Sequence, residues 1–234
     1  MSIPRHVQPE LLDALPANDP RAIRARGDLQ RVNRVMGALS LVLRALDRSV
    51  MAQPPRSIVE LGSGDGTFLL RLARKRAACW PGVKITLLDR QLLVSPKTVQ
   101  GFVSLGWKTE VITSDVFDWL AQPVNERIDL LLANLFIHHF SEERLCRLLQ
   151  GIEARTGSFL ACEPRRASLA LIGSHLLGLI GCNAVTRHDA VLSVHAGFRA
   201  EELSALWPRR EDWILREWRA GLFSHCFLAA KAAR

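Results

Sequence analysis

The stretch from Ile58 to Leu70, IVELGSGDGTFLL, limits the fold of this 234-residue chain more than any other. A short apolar run carries an acid near its end, glycines follow at 62, 64 and 66, and an apolar helical pattern begins at Thr67. That order predicts strand, tight turn and helix. Glycine tolerates the left-handed backbone of a tight turn and leaves the main chain bare for a ligand. The first turn of the helix then offers free N–H groups to a negative group.

Two phosphate-binding turns are excluded. A dinucleotide site wants G-x-G-x-x-G, but the third glycine, Gly66, arrives one residue early and Thr67 stands in its place. A P-loop wants Lys-Ser/Thr after its glycines, and no such pair follows. Glu60 is unwelcome beside a pyrophosphate and suits a ligand with positive charge. S-adenosylmethionine (SAM) has an ammonium, a sulfonium and a carboxylate for the helix end. On these residues the chain resembles class I SAM-dependent methyltransferases, whose first motif is acid-x-Gly-x-Gly-x-Gly.

A regular alternation runs from residue 57. Strands are expected at 57–61, 83–88, 108–112, 128–133 and 157–162, with helices near 67–78, 95–104 and 141–154 between them. Such alternation predicts a parallel sheet covered on both faces. A helix near 200–206 precedes two β-like runs, 213–219 and 223–230, joined at Ala220-Gly221 as a hairpin. The resemblance spans about residues 57–230. It implies an α/β, Rossmann-like three-layer sandwich: a mostly parallel seven-stranded sheet with a C-terminal antiparallel hairpin.

Residues 1–53 read as an N-terminal helical cap, and 54–234 as the methyltransferase domain with an apolar insertion at 163–199. Asn18-Asp19-Pro20 is a helix start, and Gly27-Asp28 is expected to interrupt and recap. Val32, Val35, Met36, Leu39, Leu43 and Leu46 then share one helical face. Within the insertion, 168–181 is apolar nearly all round and flanked by Arg165, Arg166 and Arg187. It reads as a buried helix, as a lid over a greasy acceptor pocket, or as a helix that dips into a membrane surface.

In open parallel sheets ligands bind at the carboxyl ends of the strands. Glu60 can there face the methionine ammonium. The backbone of Gly62, Ser63, Gly64 and Gly66 can lie against the methionine and ribose. Asp89, ending the second strand, can accept from both ribose hydroxyls, and the family pattern also puts an acid there. Asp115 can accept from the adenine amino group while the Val116 N–H donates to a ring nitrogen; the resemblance supports Asp115 over Asp118. Arg90 and Gln91 are expected near the adenosine. Asn134 ends the fourth strand, beside the transferable methyl in this fold.

A hydroxyl acceptor needs a base near neutral pH, which suits histidine, with an unperturbed pKa of about 6.5. His138 and His139 follow the fourth strand, and His188 has Asp189 beside it; His195 is a further candidate. No metal is needed or indicated. The fourth strand lacks the Asn-Pro-Pro-Tyr of enzymes that methylate planar nitrogens, and the chain has no tyrosine. The segments 186–194, 197–203 and 29–37 resemble bacterial methyltransferases found alongside type III polyketide synthases; quinone-biosynthesis methyltransferases are more distantly similar. The acceptor is therefore expected to be a hydrophobic, aromatic or polyketide-derived small molecule.

The alternatives are a nucleic-acid methyltransferase and a non-catalytic accessory protein. The net charge of +8 is diffuse, with no basic run interleaved with aromatics, so nothing indicates nucleic acid. The five scattered cysteines include no C-x-x-C pair, and no apolar signal core opens the chain, so a reducing cytoplasm is expected.

Overall fold

A computed structural model describes residues 3–48, 53–124 and 126–232. Three helices come first: α1 (Leu11–Ala14), α2 (Pro20–Val35) and α3 (Ala38–Asp47). The alternating part follows, as β1 (Ser57–Leu61), α4 (Thr67–Arg76), β2 (Lys84–Asp89), α5 (Pro96–Val103), β3 (Lys108–Thr113), α6 (Val116–Ala121), β4 (Leu130–Asn134), α7 (Glu142–Arg155) and β5 (Ser158–Pro164). Then come α8 (Ser168–His175), α9 (Ala184–Ala196), α10 (Glu202–Leu206), β6 (Trp213–Ala220) and β7 (Ser224–Lys231). The seven strands form one sheet in the order β3-β2-β1-β4-β5-β7-β6. β1 to β5 pair in parallel, and β7 runs antiparallel between β5 and β6.

Side-chain alternation along the central strands builds two cores. Ile58, Leu130, Leu132 and Leu160 face α3, α4 and α5, whose Val42, Leu69 and Phe102 pack there. Val59, Leu131, Ala133 and Phe159 face α6, α7 and α10, which supply Trp119, Leu148 and Leu203. Strands covered on both faces have no polar side to show, so β4 and β5 read as nearly continuous apolar runs. The order reverses at β1: the chain winds outward to β2 and β3, then returns to β4. Ligand crevices form at such a reversal, beyond the carboxyl ends of the strands.

The helical preface departs from expectation. Asp19 caps α2 through the Arg21 N–H at 2.7 Å, with Pro20 in the first turn, as its sequence predicts. Gly27-Asp28 does not interrupt the helix. Asp28 is buried and reaches outward to accept from Asn183 N at 2.7 Å, so the pair ties α2 to the start of α9. The break comes at Gly37, at φ +66. A change of direction there splits the expected single apolar face: Leu46 packs with the sheet, while Val35 is exposed and lines a cavity.

The stretch 168–181 is not a buried helix. Only Ala170 and Ser174 of α8 are buried, and α8 continues into a 3-10 turn, Leu176–Ile180, that Gly181 ends at φ +78. The helices α6 and α9 went unforeseen.

At the first turn, Gly62, Gly64 and Gly66 all have positive φ, from +55 to +71. A Cβ on Gly66 would also meet Leu87 Cδ1 at 2.7 Å, whereas one on Gly64 would meet nothing within 4 Å. Gly64→Ala is therefore expected to cost only the left-handed penalty, about 1–2 kcal/mol. Gly66→Ala adds crowding against Leu87, for a total of about 2–4 kcal/mol. Urea denaturation midpoints measure both, and equal losses would show that space is not what demands glycine at 66.

Candidate active site

Beyond the carboxyl ends of β1, β2 and β4 lies a cavity of ≈ 570 Å³. Gly62, Gly64, Asp89, Arg90, Gln91, Asp115 and Val116 form one wall. Apolar side chains of α2, of α8 and its 3-10 turn, and Phe136 and Phe140 form most of the rest. His138 and His139 lie on its surface with Glu10 and Asp13 of the N-terminal segment.

The glycine wall differs in detail from the expectation. Asp89 accepts from Gly64 N at 2.8 Å and from Gln91 N at 3.0 Å, so it shapes the turn as well as facing the cavity. The bare backbone at Gly62 is used by the protein itself, because a Cβ there would overlap the Phe136 ring. Asp115 caps α6 through Phe117 N at 2.8 Å, a role hidden while α6 was not foreseen. Arg90 pairs with Asp13 at 3.5 Å rather than standing free.

Glu60, Ser63, Gly66 and Asn134 lie behind the wall and are not among the lining residues. Glu60 is buried on β1, and Glu60 Oε2, Ser63 Oγ and Asn134 Oδ1 have no hydrogen-bond partner among the described residues. Burial pushes the Glu60 carboxyl well above the usual carboxylate range, and the nearby Asp65 and Asp89 push it further. Buried polar atoms without partners are uncommon, and three of them cluster behind the turn. Asn134 Nδ2 donates to Asn33 Oδ1 at 3.2 Å, which joins the end of β4 to α2.

The histidines stand on a 3-10 turn, Ile137–His139, directly after β4. Glu163, at the end of β5 and fully buried, holds that turn. Its carboxylate accepts from Phe136 N at 3.0 Å, Ile137 N at 3.1 Å and His138 Nδ1 at 2.6 Å. Glu163 was missed in the sequence, although an acid at the end of a wholly apolar strand was the signal available. Leu135 enters the turn at φ +54, a backbone strain lying against the cavity.

The other ring nitrogen of His138, Nε2, lies 3.5 Å from Glu10 Oε1. Burial alone would lower the His138 pKa, but the Glu10 and Glu163 carboxylates outweigh it and raise it to about 9. Burial would raise the Glu10 pKa, yet His138 and His139 hold it down to about 2. His139 goes the opposite way to its neighbour. Burial and then the charge on His138 lower its pKa, against the pull of Glu10 and Asp13. Its Nδ1 lies 3.5 Å from Asp13 Oδ2. The ligating atoms of Glu10, His138 and His139 fall within 4.8 Å of one another, a spacing that a metal ion could bridge, and His138 Nε2 has no hydrogen-bond partner among the described residues.

The N-terminal segment that carries Glu10 is strapped over this site. Arg5 donates to the carbonyls of Ala196 at 2.9 Å and Phe140 at 2.8 Å, and Arg166 donates to Ile3 O at 2.9 Å. Asp189, on α9, accepts from Leu11 N and Leu12 N, both at 2.9 Å. His188 must be corrected. It lies outside the cavity with its side chain 51% exposed, paired to Asp189 at 3.0 Å. Adjacent helical residues are 100° apart, so Asp189 faces inward and His188 outward. His195 likewise is not among the lining residues.

No protein-family model matches the sequence, and neither does any curated protein. Solved structures do match. One is the plantazolicin methyltransferase BpumL in complex with SAH, with a TM-score of 0.66 and 14% identity over 92% of both chains. A second is an O-methyltransferase family protein from Burkholderia thailandensis, with a TM-score of 0.61 and 17% identity, over 93% of this chain and 61% of that one. A third is the pyocyanin biosynthetic protein PhzM, with a TM-score of 0.57 and 18% identity, over 92% of this chain and 60% of that one. The chain has the Rossmann-like methyltransferase fold.

The pKa shifts predict a pH dependence. His138, raised above its ordinary 6.5, stabilises the fold fully below that pH, and the contribution is lost as pH rises through about 9. Glu10, lowered from 4.5, contributes above that pH and loses the contribution as pH falls through about 2. Both are in place between 4.5 and 6.5. Glu163→Gln removes one carboxylate and should lower the His138 midpoint by more than about one pH unit, read by NMR of the ring protons. A midpoint still near 9 in that variant would show that Glu163 does not hold the proton.

Proposed function

We propose that this chain is a SAM-dependent methyltransferase, acting on a hydroxyl of an apolar aromatic or polyketide-derived small molecule. One observation carries the reading. The glycine turn, Asp89 and Asp115 face a neutral-leaning histidine across a chamber that is otherwise mainly apolar.

The residues present fit that cofactor. Three glycines at positive φ make the turn, and Gly64 keeps open space over its backbone. Gly62, Gly64, Asp89, Asp115 and Val116 line the cavity where the cofactor would lie, while Glu60 and Asn134 stand behind that wall. Asp89 would hold the ribose hydroxyls, with Asp115 and the Val116 N–H at the adenine. When bound, SAM supplies a methyl already activated on a sulfonium.

The chain's own residues supply alignment, exclusion of water and a proton acceptor. Alignment and exclusion together can lower a barrier by on the order of 7–11 kcal/mol. His138 is protonated at neutral pH and is no base there. Burial, and then the charge on His138, keep His139 neutral, so His139 is the group that takes the acceptor's proton. Asp13 receives part of the resulting charge at 3.5 Å. Phe136, Phe140 and the strap close the chamber to water. The helices of 1–53 act as the cap that α2 places over the acceptor end. Five free thiols suit the cytoplasm we assign.

Calorimetry with SAM tests the core of this reading: Asp89→Ala should weaken binding roughly 10- to 100-fold, the worth of a hydrogen bond to a charged group. No heat with the unaltered chain would overturn the proposal. His139→Ala should slow transfer to a phenolic acceptor about 10²- to 10⁴-fold with SAM affinity unchanged. In the unaltered chain, turnover should be level just above pH 6.5 and decline only below it, because the His139 pKa lies under its ordinary 6.5. An undiminished rate in the variant would clear His139 of the base role.

A further inference from the structure

The segment that walls the cavity from the outside turns an apolar face to water. Leu169, Ile172, Leu176 and Ile180 are exposed, and Leu179 is 83% exposed. Phe223 of the β6–β7 turn packs at 3.0 Å from where a Gly173 Cβ would lie, so the exposed Leu222 stands beside the same helix. Burying such side chains is favourable in proportion to their apolar surface, and among the described residues nothing covers them.

Arginines rim this face. Arg187 lies against Gly178, and Arg31 donates to Ile180 O at 3.0 Å. Arg219 donates to Gly221 O at 3.0 Å, and Arg165, whose pKa is lowered by burial and then by Arg219, donates its amide to Phe223 O. No aspartate or glutamate occurs from Arg165 to His188. Asp28, the acid that faces this rim from α2, is already paired with Arg31 at 3.2 Å. The same segment also lines the cavity, through Ala170, Gly173, Ser174 and Leu177 and through Leu176 and Ile180, which are exposed yet border the cavity as well; Leu169, Ile172 and Leu179 are outside the lining.

We propose that this face docks on an anionic lipid bilayer. Leu169, Ile172 and Leu179 enter the boundary between headgroups and acyl chains, and the arginines meet the lipid phosphates. Among the described residues no helix is long and apolar enough to cross a membrane, so the contact is peripheral. A second copy of the chain is a poor occupant, because a two-fold contact would set the arginine rim against itself. An apolar acceptor dissolved in the bilayer then lies one helix away from the cavity. That last step rests on the methyltransferase reading; the docking itself does not.

Vesicle co-sedimentation of the full chain tests it. Mixed phosphatidylcholine and phosphatidylglycerol vesicles should bind the protein at least about tenfold more strongly than phosphatidylcholine alone, and less so at high salt. Leu179→Glu, at a position outside the cavity lining, should reduce binding about tenfold while leaving the SAM heat unchanged; Arg187→Glu is the second variant. Equal binding of the variants, or no preference for the anionic lipid, would overturn the proposal. So would a dimer that Leu179→Glu dissolves, or an acidic protein competing for the face without any vesicle binding. Vesicle binding in a chain that gives no SAM heat would keep the docking and sink the enzymatic reading.

Discussion

A single buried carboxylate sets the geometry of the cavity's histidine side. Glu163 is fully removed from water at the end of β5, where an isolated charge would cost several kcal/mol. Two backbone amides and His138 Nδ1 surround it, and all three come from the turn after the neighbouring strand. The register that pairs Asn134 with Cys162 brings them there. The turn, the strained Leu135 and the orientation of both histidines therefore follow from how β4 and β5 lie side by side.

The charges around that carboxylate then sort two adjacent histidines into different states. His138 sits between Glu163 and Glu10 and keeps its proton; His139, buried and beside a charged neighbour, is pushed to lose it. Neighbours of identical chemistry are thus separated by environment. The separation depends on the strap, since Glu10 reaches His138 only because Asp189 and Arg5 pin residues 3–15 across α9 and the β4 turn. The stretch Thr186-Arg187-His188-Asp189 was notable in the sequence for its histidine. In the structure its value lies in the aspartate, which ties down main chain.

The glycine turn shows a similar transfer of purpose. Its left-handed backbone was legible from spacing, and all three glycines adopt it. Yet two of the three owe their missing side chains to packing inside the protein, against Phe136 at Gly62 and Leu87 at Gly66. The strand and helix order from 57 to 164 was legible because period and apolar runs are local properties. The helix α6 was missed because it is short and its cap, Asp115, read as a ligand group. The helix α9 was missed because its inward face meets α1, α2 and α8 more than the sheet, so its apolar stripe is shallow.

By itself, the sequence determined the alternating α/β order, the strand–turn–helix with its acid and glycines, and the strand ends where polar residues gather. Those features depend on residues within a few positions of one another. Only the tertiary structure decided which of the candidate histidines face the cavity, that Glu10 and Glu163 flank one of them, and that 168–180 is half wall and half exposed surface. Each of these joins residues more than twenty positions apart, or depends on which side of a helix finds a neighbour. Such contacts follow from strand register and helix docking, and no local pattern encodes them.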